Sequence, residues 1–135
     1  MRNIDLASDY IKRCGARLEA LKTLHEQKSW PDVVRESQEV VELALKALLR
    51  KNGIEFPRIH DVSSIIKEKK SLLPKGIQKD LEKLCQISRS SRRDREIAFD
   101  GAEDLSPLEF YSEEDAQKAM DDAKYVVQTV KAAMD

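Results

Sequence analysis

Val33-Val34-Arg35-Glu36-Ser37-Gln38-Glu39-Val40-Val41-Glu42-Leu43-Ala44-Leu45-Lys46-Ala47-Leu48-Leu49 is the stretch whose reading decides the fold. Asp32, Arg35, Glu36, Glu39, Glu42, Lys46 and Arg50 fall on one polar stripe when the segment is wound as an α-helix. Apart from Ser37, Gln38 and Lys51, the remaining positions are apolar. A helix with so narrow a polar stripe must be covered on more than one side. The stretch therefore predicts the central helix of a helical bundle. Ser29-Trp30-Pro31-Asp32 opens it, with Ser29 expected as the cap and proline tolerated in the first turn. Its end falls near Asn52, with Gly53 as the left-handed residue beyond.

Helical spacing extends in both directions. Upstream, Leu6, Tyr10, Cys14, Leu18, Leu21 and then Leu24 or His25 predict a first helix from Asp5 to Lys28. Gly15 within it is either a local weakness or a place where another helix comes close. Downstream, a linker with Pro57 leads to a short helix over Asp61 to Lys70, with Val62, Ile65 and Ile66 facing inward. A fourth helix is expected from Pro74 through the arginine run to Ala98, carrying Ile77, Leu81, Leu84, Cys85 and Ile87, with a break at Phe99-Asp100-Gly101. Ser112-Glu113-Glu114-Asp115 reads as a capping box with aspartate in the third position, opening a last helix to Ala133. No segment alternates with period two for long enough to make a sheet. The expectation is an all-α fold: one domain over residues 1–135, an up-and-down bundle of about five helices, four long and one short.

Composition agrees. The 135 residues are 41% hydrophobic, enough for a core, and 36% charged, enough for a heavily charged outer face. The net charge of -1 carries no basic excess, which argues against DNA binding. Cys14 and Cys85 stand far apart and in no metal-ligand spacing, so they are read as buried thiols, with no metal and no cofactor expected. No apolar run is long enough to span a membrane and none follows a basic start as a leader would, so a cytoplasmic protein is expected.

Three segments together resemble a known family. Glu42, Lys46, Ala47 and Leu49, following Gln38, resemble the Glu-x-x-x-Lys-Ala-x-Leu core of HEPN domains. Gly53-Ile54 leading to His60-Asp61-Val62 is similar to the family's entry into its third helix. Phe110-Tyr111-Ser112-Glu113-Glu114-Asp115-Ala116 is similar to its entry into the last. The resemblance runs from about Asp32 to Ala133. It implies a bundle that dimerises, here through the second and fourth helices. It also implies a possible partnership with a minimal nucleotidyltransferase, with some members acting as toxins. Many active members are metal-independent ribonucleases that carry an arginine and, after four to six residues, a histidine at the end of the fourth helix.

This chain departs from that pattern. The run is Arg89-Ser90-Ser91-Arg92-Arg93-Asp94-Arg95-Glu96-Ile97-Ala98-Phe99-Asp100. Aligned on Arg93, Ala98 stands where the histidine should be. Moving a proton near neutral pH is imidazole's work, and a methyl group cannot do it. The leading expectation is a non-catalytic HEPN homodimer that binds a nucleotide, an RNA segment or a nucleotidyltransferase. A toxin-type ribonuclease with a rearranged site and a purely structural interaction module are the alternatives.

The candidate ligand residues each have a plainer reading. Arg89, Arg92 and Arg93 share a helix face with Glu96 and could fork onto phosphate, or form a solvated face diluted by Asp94 and Glu96. Glu42 and Lys46 could floor a groove near Arg93, or be an ordinary i,i+4 pair. His60 could transfer a proton, or cap a helix. His25 is read as a surface residue, Ser37 and Gln38 as lacking any nucleophile context, and Trp30, Phe99, Phe110 and Tyr111 as core closers.

Overall fold

The computed structural model describes residues 3–59, 61–100, 106 and 110–134, without the side chains of residues 3–4 and 92–100. Among these residues the chain is all-α, with five α-helices: α1 (Asn3–Glu26), α2 (Trp30–Lys51), α3 (Ser63–Glu68), α4 (Leu81–Asp100) and α5 (Glu113–Met134). Two 3-10 segments, Lys70–Leu72 and Lys75–Asp80, connect α3 to α4.

α2 is the axis of the bundle, packed against α1, α4 and α5. Val33, Val34, Val40, Val41, Ala44, Leu45, Ala47, Leu48 and Leu49 are all buried, as a helix apolar on most of its circumference requires. Around it lie Cys14 and Leu21 of α1, Ile66 of α3, Leu84, Cys85 and Ile87 of α4, and Ala123, Val126, Val127 and Val130 of α5. Arg17 and Glu36 tie α1 to α2 with a 2.8 Å ion pair. No helix among the described residues is long and apolar enough to cross a membrane.

The helix ends follow local chemistry. After α2, Gly53 takes φ +69°, its N–H meets the Arg50 carbonyl at 3.1 Å, and the Ile54 N–H meets the Leu49 carbonyl at 2.9 Å. That pair of bonds closes the helix through a residue in the left-handed region. Before α5, the Ser112 N–H donates to the Asp115 carboxylate at 2.9 Å and the Asp115 N–H to the Ser112 hydroxyl at 3.3 Å, the reciprocal pair of a capping box.

Four expectations are corrected. The stretch after Pro74 starts as a 3-10 segment and becomes α-helical only at Leu81. The hydroxyl of Ser29 does not cap α2; it donates to the Asp32 carboxylate, a stronger acceptor, at 2.5 Å. His25 is half-buried edge-on against Trp30, ring centroids 5.0 Å apart, so it is not a surface residue. Phe110 is exposed at 38%, whereas its neighbour Tyr111 is buried. A Cβ built on Gly15 meets nothing within 4 Å, which decides that position as a local weakness of α1 rather than a close approach.

Candidate functional site

On α2, Val34, Ser37, Gln38 and Val41 stand at i, i+3, i+4 and i+7 and so share one face. That face floors a hollow of about 160 Å³. Ile87, Ser90 and Ser91 of α4 form a second wall, and Asp115, Lys118, Ala119 and Asp122 of α5, with Phe110 and Tyr111 before it, form the third. The hollow exists because three helices converge here on short side chains: two serines on α4, a serine on α2 and an alanine on α5.

Its polar floor is unusual. Ser37 is 1% exposed and Gln38 is 5% exposed. The Ser37 hydroxyl and the Gln38 side-chain carbonyl oxygen are buried with no hydrogen-bond partner among the described residues. A buried helical serine can bond the carbonyl one turn back, and this one does not. Each such group left without a partner costs about 1–3 kcal/mol. The two residues stand side by side on α2, at the floor of the hollow.

The rim carries charge already in use. Lys118 Nζ pairs with Asp122 at 2.8 Å, and Asp115 accepts the Ser112 N–H and hydroxyl at 2.9 and 3.0 Å. Phe110 and Tyr111 meet edge-to-face, centroids 4.9 Å apart, so Tyr111 is wedged inward while Phe110 stands at the mouth.

Of the residues singled out from sequence, the side chains of Arg89, Glu42 and Lys46 are described, and none of them lines the hollow. Arg89 is exposed on α4, and its charge acts on Asp61. Arg92 and Arg93 lie on the following turn of α4, and their side chains are outside the described set, as is His60 altogether. Arg93 follows Ser90 by three positions, the spacing of neighbours on one helix surface. Glu42 and Lys46 are 3.7 Å apart and half-buried, and Lys46 sits 5.6 Å from the ring centroid of Phe56. They are on a different face of α2 and are not part of the hollow's lining.

Asp61 anchors the turn before α3. Its carboxylate accepts the Ser63 N–H at 2.9 Å and the Ser88 hydroxyl at 2.7 Å. Burial pushes this carboxyl up, but the hydrogen bonds from Ser63 and Ser88, aided by Arg89, hold it below its ordinary value. Burial raises both thiols, Cys14 to about 11 despite Arg17 and Arg13 nearby, so neither is a poised nucleophile. Among the described residues no group of three His, Cys, Asp or Glu side chains is placed to hold a metal ion.

Sequence reasoning passed over Ser37 and Gln38. A signal was present: with Lys51 they are the polar residues of α2 that fall outside its stripe. A polar residue on the apolar circumference of a central helix is buried, and buried polarity needs a partner.

The family model for HEPN domains matches residues 7–133. The chain belongs to the HEPN domain family. A protein of Methanocaldococcus jannaschii named "Putative toxin MJ1304" is 36% identical over 143 residues, covering 96% of this chain and 88% of its own length. No solved structure matches the chain. Within this HEPN domain the hollow lies between the helix that carries the Glu42–Lys46 core and the helix that carries the arginine run.

Proposed function

We propose that this HEPN protein binds a nucleotide or a short RNA segment, with the α2–α4–α5 hollow as the seat and the arginine turn of α4 as the phosphate contact, and that it does so without the family's histidine-dependent cleavage. The observation that carries the reading is a hollow lined by Ser37 and Gln38, each of which has a buried polar atom without a partner among the described residues. Arg93, three positions beyond Ser90, adds a guanidinium suited to phosphate oxygens. Ala98 removes the imidazole that cleavage would require. The family resemblance adds a homodimer formed through α2 and α4, which a clean monomer in equilibrium sedimentation at micromolar concentration would refute.

Thermal shifts test the binding claim. A ligand that binds only the folded chain raises Tm in a concentration-dependent way. Nucleotides or short RNAs are expected to raise Tm of the wild type, less so of Arg93→Ala, while the RNA stays intact in a metal-free buffer. The absence of a shift with any nucleotide or RNA overturns the reading, and points to a protein partner such as a minimal nucleotidyltransferase.

A second reading, a toxin-type ribonuclease with a rearranged site, rests on one observation and one name. Asp61, directly after His60, is bonded to Ser88, four residues before Arg92. The Methanocaldococcus relative is named as a toxin. RNA cleavage that disappears in His60→Ala selects this reading over the first.

A further inference from the structure

We infer that the lysines leading from α3 to α4, Lys67 and Lys70 foremost, continue the phosphate contact of Arg89, so that the chain holds the backbone of an RNA strand and not a lone nucleotide. This rests on the reading that the chain binds a nucleotide or RNA. It names the form of that ligand and a second surface that takes it.

Charge comes first. Residues 67–89 hold six lysines, one arginine and three acids, a net of +4, in a chain whose total is -1. Lys67, Lys69, Lys70, Lys75 and Lys79 are all exposed. Among the described residues neither they nor Arg89 makes an ion pair. By contrast Arg13, Lys22 and Lys118, also exposed, pair with Asp9, Glu19 and Asp122. A cluster of cations without paired acids keeps its positive field for an outside anion.

Placement comes second. Lys67 and Lys70 line a hollow of about 360 Å³ with Gln78, Leu81, Glu82 and Cys85, so two lysines face one acid there. The segment that carries Lys70 is fixed: Leu73 and Ile77 are buried, and the Gln78 amide donates to the Lys70 carbonyl at 2.9 Å. On α4, Glu82, Cys85 and Arg89 follow at steps of three and four, so Arg89 continues the face that walls this hollow. Burial raises the Cys85 thiol, and the charges of Lys67 and Arg89 both oppose that rise, so the two cations act on the same point. An α-helix rises about 1.5 Å per residue, which puts Leu81 and Arg89 about 12 Å apart along α4. A mononucleotide brings its phosphate to one of these places. A strand brings phosphates to both.

Chemistry comes third. Lysine binds phosphate as a point charge and is depleted in protein–protein interfaces. Leu72, at 58%, is the exposed large apolar residue of this connection, while Leu73 and Ile77 are buried. A single leucine is no apolar patch for a protein or a bilayer.

Fluorescence anisotropy with a labelled oligouridylate of about twelve residues, beside calorimetric titration with UMP, tests this on the full chain. The wild type is expected to bind the oligouridylate at least about tenfold more tightly than UMP, with an affinity that falls as salt rises. Lys67→Gln combined with Lys70→Gln should weaken the oligouridylate about tenfold or more at low salt, lower the salt slope by about 1.4, and leave UMP unchanged. Lys12→Gln combined with Lys28→Gln removes the same charge from exposed positions elsewhere and should change neither. Equal binding of the oligouridylate by the wild type and the Lys67/Lys70 variant, an equal loss in the Lys12/Lys28 variant, or UMP bound as tightly as the oligouridylate overturns the inference and leaves the broader reading standing. Binding of neither ligand overturns both. Capture by phosphatidylserine vesicles without binding of the oligouridylate overturns the inference in favour of a membrane contact.

Discussion

Ser88 donates a 2.7 Å hydrogen bond from its hydroxyl to the carboxylate of Asp61, joining the turn before α3 to the α4 residue that immediately precedes the arginine run. Ser88 is buried and Asp61 is half-buried. The bond ties α4 near its middle to the turn before α3, one residue ahead of the arginine run.

The same bond makes stability depend on pH. The Asp61 carboxyl lies below its ordinary value of 3.8 in the folded chain, so the folded state binds this proton more weakly than the unfolded state. Its contribution is complete above that ordinary value and is lost as pH falls through the lower folded one. Wild type is expected to lose more stability than Asp61→Asn between neutral pH and about pH 3 in chemical denaturation series. Ser88→Ala should cost about 1–2 kcal/mol at neutral pH. Parallel acid profiles for wild type and Asp61→Asn would refute the linkage.

Ser37 should show a trade between stability and binding. Alanine at this position removes a buried hydroxyl without a partner and is the better helix former. Ser37→Ala is expected to stabilise the chain by about 0.5–1.5 kcal/mol in urea denaturation while weakening nucleotide affinity. A variant that is destabilised would mean that the hydroxyl has a structural partner in solution.

Glycine to alanine should change sign with position. Gly15 sits mid-α1 with open space where a Cβ would go, so Gly15→Ala should stabilise by about 0.5–1 kcal/mol. Gly53 holds φ +69°, and a Cβ there is strained, so Gly53→Ala should destabilise by about 1 kcal/mol or more. Denaturation midpoints shifting in the same direction for both would contradict the backbone assignment.

Thiol labelling checks the core. Burial holds the Cys14 thiol at about 11, and Cys85 is raised by burial as well, so both remain neutral at about pH 8. The native chain is expected to resist alkylation at this pH, and two thiols should react once denaturant is added. Labelling of either thiol in the native chain at the rate of free cysteine would contradict the packing.

The helices other than the start of α4, the two ends of α2, the capping box of Ser112 and Asp115 and the central place of α2 were legible in residue order. Each depends on side chains a few positions apart, and helical spacing alone brings those together. The candidate site was legible only in part. The arginine run and the absence of a histidine after it are matters of sequence. Glu42 and Lys46 could not be assigned to a face of the site, because that depends on which helix covers which side of α2. Phe56, far along the linker, turned out to take up Lys46.

By itself, then, the sequence determined the all-α architecture and the family, since periodicity, caps and motif spacing are local or one-dimensional properties. Tertiary structure decided what Ser37 and Gln38 are. Whether a polar atom finds a partner depends on the groups that three separate helices bring around it, and here α4 and α5 converge on them with a hollow instead of a partner.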